Sequence, residues 1–86
     1  MRYSITFKSA AQRTLSKLPN DAAERIARAI DGLEFEPRPK GCEKLKGADN
    51  LWRIRVGDYR VVYSIEDDRL IVLVVKIGHR REIYRG

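Results

Sequence analysis

Two hydrophobic periods divide the chain. Tyr3 to Phe7 alternates large apolar side chains with small polar ones and predicts a first strand. Behind it the period lengthens. Ser9 followed by Gln12 has capping-box spacing and predicts the start of a helix with Ala11, Leu15 and Leu18 on one face, ended by Pro19. Asn20 is placed to cap a second helix in which Ala22, Ile26, Ala29, Ile30 and Leu33 recur at helical spacing, broken by Pro37 and Pro39. On its outer face Asp21 with Arg25, and Glu24 with Arg28, are acid-first i to i+4 pairs, read as a solvated helix surface.

From Leu51 the period is two. Leu51 to Val56, Tyr59 to Ile65 and Leu70 to Ile77 predict three strands joined by turns at Gly57-Asp58 and Asp67-Asp68. The stretch from Arg38 to Gly47 reads as a polar connection, its Lys40, Lys44 and Lys46 being either solvated loop charges or contributors to backbone binding. The expected fold is α+β, with two N-terminal helices packed on a mainly antiparallel four-stranded sheet in the order β-α-α-β-β-β, one domain over residues 1–86.

The tight turn fixes a register. With Gly57-Asp58 as a two-residue loop, Val56 faces Tyr59, Arg55 faces Arg60, Ile54 faces Val61 and Arg53 faces Val62. Arg53, Arg55 and Arg60 then share one face of the hairpin, while Trp52, Ile54, Val56, Tyr59, Val61 and Tyr63 share the other and receive the helices. Arginines directly opposite each other destabilise a sheet by roughly a few tenths to 1 kcal/mol. Either they splay into water or pair with acids from elsewhere, such as Glu82, or the face is built to bind phosphate.

Composition narrows the partner. Hydrophobic residues make up 43% and charged residues 35% of 86 residues, which suits a folded domain too small to enclose a large cofactor, so no cofactor is expected. The longest apolar run has strand length, and Met1 to Phe7 lacks the apolar core of a signal peptide, so neither a membrane role nor export is expected. A lone cysteine, Cys42, can form neither an internal disulfide nor a zinc cage; no metal is expected and the cytoplasm is favoured. Net charge of +6 calls for an anionic partner, nucleic acid first. From Leu51 onward seven of the eight basic residues are arginine, whose planar fork matches phosphate oxygens.

A second basic group, Gly78-His79-Arg80-Arg81-Glu82-Ile83-Tyr84-Arg85, follows the last strand. Arginine beside an aromatic holds single-stranded RNA through phosphate contact and base stacking. His79 titrates near neutrality when unperturbed; it is either a structural histidine or a group that handles a proton or contacts RNA. Tyr84 is either a packed terminal aromatic or a stacking or proton-handling residue.

Leu45-Lys46-Gly47, the run from Leu51 to Tyr63, and Gly78 to Arg85 occur in an order and spacing that resembles the RelE/ParE toxin superfamily over essentially the full length. The ending is more similar to the RelE branch, whose members cleave messenger RNA in the ribosomal A site, than to the ParE branch, which poisons DNA gyrase. The resemblance implies an mRNA interferase in which the ribose 2′-hydroxyl attacks the adjacent phosphate to leave a 2′,3′-cyclic phosphate, without a metal. It implies catalytic roles for Arg53, Arg55, Arg60, Arg80 and Tyr84; His79 joins these candidates on its own chemistry, and Arg53, Arg55, Arg60, Arg80, Arg81 and Arg85 are the expected RNA contacts.

Well-known members carry lysines where this chain has Arg53 and Arg55, and arginine is a poor proton acceptor. Glu43 and Glu82 are the neighbouring carboxylates, and the pattern assigns a role to neither. The implied partners are a RelB-like antitoxin, the 70S ribosome and its mRNA, with operator DNA bound only through the antitoxin complex. A gyrase-poisoning toxin and a catalytically silent RNA- or protein-binding module are the competing readings.

Overall fold

The computed structural model describes residues 2–47 and 50–79. Its elements are β1 (Ser4–Phe7), α1 (Ser9–Lys17), α2 (Asn20–Gly32), β2 (Glu43–Lys44), β3 (Leu51–Val56), β4 (Tyr59–Glu66) and β5 (Ile71–His79). The α+β class and the helix pair are as expected; the sheet has five strands rather than four. The extra one, β2, lies within the stretch read as a connection. Two exposed charged residues offer no apolar alternation, and only pairing with β3 (Glu43 to Arg53, Lys44 to Trp52) makes them a strand.

Strand order is β1-β5-β4-β3-β2, with β1 parallel to β5 and the remaining pairs antiparallel. The parallel pair requires a crossover, which α1 and α2 supply. Both helices lie on one face, where Ile26, Ile30 and Leu33 meet Ile54, Val61, Tyr63, Ile65, Val72, Val74 and Ile77 in the hydrophobic core. Trp52, Val56 and Tyr59 pack at its margin, as the alternation predicts.

Neither expected helix cap forms. The Lys8 N–H still donates to the Val74 carbonyl at 2.9 Å as the last rung beside β1, while the Lys8 carbonyl already accepts from Gln12 at 3.0 Å. Strand therefore passes into helix with Lys8 as the cap, and Ser9 is inside the first turn. Pro19 caps α2, giving its carbonyl to Ala23, so Asn20 is helical too. Leu18, constrained by the following proline, is extended and ends α1. Helix α2 stops at Gly32, short of Pro37, through the turn of Leu33 to Phe35. Of the two expected ion pairs on its surface, Glu24–Arg28 is formed at 3.1 Å, whereas the Arg25 guanidinium lies beside Gly57.

Candidate phosphate-binding face

The helix-free face of the sheet is organised by the β3–β4 hairpin. Gly57 takes φ of +59°, which a side chain would strain, and this permits the two-residue turn. The register is the expected one: Val56 with Tyr59, Arg55 with Arg60, Ile54 with Val61, Arg53 with Val62. Arg53, Arg55 and Arg60 therefore share a face, at three different depths. Arg55 is exposed, the Arg53 side chain is 14% exposed, and Arg60 is buried at 5%. Arg60 does not splay into water; its Nη1 donates to the Tyr59 carbonyl at 3.2 Å.

A carboxylate that the hairpin pattern could not place joins them. Strand β2 sets Glu43 opposite Arg53, whose Nη2 donates to Oε1 at 2.8 Å. That hydrogen bond, then the Arg53 charge, and more weakly the charges of Arg55 and Arg60, hold the Glu43 carboxyl below its ordinary range. Glu43 is thus an ionised acceptor beside three guanidinium groups. Its distance of ten residues from Arg53 hid the contact, and the turn at Pro39 to Cys42 brings the two together. Glu43 and Arg55 also border a groove of about 590 Å³ that Ala29, Ile54 and Lys40 help to line. Lys44 is drawn instead to the Trp52 ring, 6.0 Å from its centroid, on the helix side.

His79 is not on the arginine face. It pairs with Tyr59 at the end of β5 and meets that ring edge-on, with centroids 5.7 Å apart, on the side of the sheet that carries the helices. Arg80, Arg81, Tyr84 and Arg85 lie outside the described residues, as does Glu82. Lys76, which the sequence pattern did not single out, does reach the arginine face from β5. Among the described residues no three His, Cys, Asp or Glu side chains cluster to hold a metal, and no helix is long and apolar enough to cross a membrane.

Chemically, this face can bind a phosphodiester. Guanidinium forks supply charge and paired donors but cannot accept a proton near neutral pH, so proton removal falls to a different group.

A model of the family described as the ParE toxin of the type II toxin-antitoxin system parDE matches residues 5–84. Toxin RelG of Mycobacterium tuberculosis is 31% identical over 86 residues, covering 99% of each chain. The mRNA interferase toxin RelE of Escherichia coli K12 is 27% identical over 88 residues, covering 98% of this chain and 92% of that protein. Among solved structures, the archaeal RelE-RelB complex of Pyrococcus horikoshii contains a chain that superposes with a TM-score of 0.82 at 32% identity, covering 93% of this chain and 97% of that one.

Proposed function

Because the chain belongs to the ParE toxin family of type II toxin-antitoxin systems, on the RelE-like branch of the RelE/ParE superfamily, we propose that this toxin is an endoribonuclease that cuts messenger RNA on the ribosome. The observation that carries the reading is the register of Arg53, Arg55 and Arg60 on one helix-free face, with like charges directly opposed. A sheet with nothing anionic to bind gains nothing from that opposition.

In the proposed reaction the 2′-hydroxyl oxygen forms a bond to the adjacent phosphorus and the bond from phosphorus to the 5′-oxygen breaks. The products are a 2′,3′-cyclic phosphate and a 5′-hydroxyl. The nucleophile comes from the substrate, so no metal is required to generate it. Arg60 and Arg80 stabilise charge on the phosphoryl oxygens, Arg53 and Arg55 hold the backbone with Arg81 and Arg85, and Tyr84 stacks on or orients the nucleotide. For the 2′-hydroxyl proton, Glu43 is the ionised acceptor facing these arginines among the described residues, and we assign it that proton. Tyr84 returns a proton to the 5′-oxygen; His79, on the opposite side of the sheet against Tyr59, takes no part in this step.

The Pyrococcus structure is of a RelE-RelB complex. The reading for this chain accordingly includes a RelB-like antitoxin that covers the basic face, acts with the toxin on operator DNA, and leaves the free toxin to work on 70S ribosomes in the cytoplasm. Purified toxin on ribosomes programmed with a defined message, followed by mapping of 5′ ends, tests the nuclease. Codon-phased cuts bearing 5′-hydroxyls are expected. Intact messages together with broken chromosomal DNA after induced expression would establish the gyrase-poisoning reading instead.

A further inference from the structure

Strand β5 carries a change of phase that has a chemical consequence. Val72 and Val74 point into the core, and strict alternation would send Lys76 after them. It does not go there. The β4–β5 register runs from Val62 paired with Lys76 to Tyr63 paired with Val74, so Val75 is an extra residue. This bulge restores Ile77 to the core at 3% exposure and turns Lys76 outward, exposed on the helix-free face.

There Lys76 completes a row. Glu43, Arg53, Val62 and Lys76 are successive cross-strand neighbours on β2, β3, β4 and β5, and the adjacent row is Arg55, Arg60 and Gly78. Lys76 is therefore the diagonal neighbour of Arg60, at about 7–8 Å between Cα atoms for such pairs. It is the one basic residue after Leu51 that is not arginine, and it forms no hydrogen bond or ion pair with any described residue. A bulge that removes a lysine from the core need not place it beside a buried arginine on a face already rich in positive charge.

We propose that Lys76 is a further phosphate contact of this face, donating from Nζ to a backbone oxygen of single-stranded RNA next to the phosphate held by Arg60. The proposal rests on the reading that RNA is the substrate. It does not require that the RNA be cut.

The test uses a short single-stranded RNA, 2′-O-methylated throughout so that it cannot be cleaved, titrated with the free toxin at several salt concentrations and followed by fluorescence anisotropy. Lys76→Gln is expected to reduce the slope of log affinity against log salt by about 0.7, the value for one phosphate contact on a single strand. Lys76→Arg is expected to restore it, and Lys17→Gln, on the exposed end of α1, to leave it unchanged. An unchanged slope in a folded Lys76→Gln protein overturns the proposal, and so does an equal loss in Lys17→Gln, which would mark bulk charge alone. If the wild type makes no cuts on programmed ribosomes while Lys76→Gln still lowers the slope, the nuclease reading fails and the contact stands.

Discussion

Arg55 and Arg60 stand directly opposite each other across the β3–β4 ladder, one exposed and the other 5% exposed. On the proposed function the pair sets RNA binding against stability. Replacing Arg55 by threonine removes the repulsion and puts a strand-favouring residue in its place, so the variant should be more stable by about 0.2–1 kcal/mol. Thermal unfolding reads this as a rise of up to roughly 8 °C for a domain of this size. The same variant should bind non-cleavable RNA with a shallower salt dependence. A variant both less stable and unchanged in RNA binding would show that Arg55 packs rather than binds.

Arg60 should respond in the opposite sense. Its side chain is buried and bonds the Tyr59 carbonyl, so Arg60→Ala leaves a gap and a carbonyl short of one donor. Loss of about 1–3 kcal/mol is expected along with loss of toxicity. Arg60→Lys, which keeps the charge and most of the volume, separates the two effects: stability should largely return while RNA cleavage does not, because a point charge replaces the fork.

Glu43 provides a sharper signature, because its two proposed roles pull apart. Glu43→Gln removes a negative charge from the phosphate face and loosens Arg53, so affinity for non-cleavable RNA should rise severalfold. The same change removes the proton acceptor, and single-turnover cleavage on programmed ribosomes should fall by about 10²- to 10⁴-fold. A rise in affinity with unchanged cleavage would make Glu43 a counter-ion only.

The hairpin half of this site was readable from the sequence because a Gly-Asp turn fixes the register and a period of two fixes the faces. Lys76 was not, for a specific reason. Residues 71–75 are all apolar, so alternation cannot say which of them face the helices, and only the extra residue at Val75 reconciles a buried Val74 with a buried Ile77. Glu43 escaped because a two-residue edge strand has no pattern, and its neighbour in space is ten positions away. The side taken by His79, left open between a structural and a chemical role, follows from the strand: two residues beyond a core isoleucine, it falls on the core side, against Tyr59. The missed caps have a related origin, since the Lys8 backbone is claimed by both the β1–β5 ladder and the first helical turn.

Tyr63 links the core to the loop that delivers Glu43. Its hydroxyl donates to the Pro37 carbonyl at 2.8 Å with the ring fully buried, and burial is the main cause that pushes the phenol above its ordinary range. The hydroxyl therefore remains a donor across neutral pH. Tyr63→Phe should cost about 1 kcal/mol, the net worth of one such bond, visible as a lower denaturant midpoint at unchanged slope.

The last prediction concerns the far end of the sheet, where Asp67 gathers three elements. Arg38 donates to it with both Nη atoms, at 3.1 and 2.8 Å, while stacking over Trp52 at 5.0 Å, and the Tyr3 hydroxyl donates at 2.7 Å. The hydrogen bond from Arg38, followed by that from Tyr3, holds the Asp67 carboxyl down at about 2. A folded-state value below the ordinary one means that the ionised group stabilises the fold. That contribution is fully present above the ordinary carboxylate value near pH 4 and is lost as pH falls through about 2. Asp67→Asn should therefore unfold at a lower temperature than the wild type at pH 7 and pH 5, with the gap narrowing from pH 4 and closing near pH 2. Because the group is half exposed, added salt should shrink the gap at pH 7 as well. A gap that stayed constant from pH 7 to pH 2 would assign the effect to packing of the carboxyl group rather than to its charge.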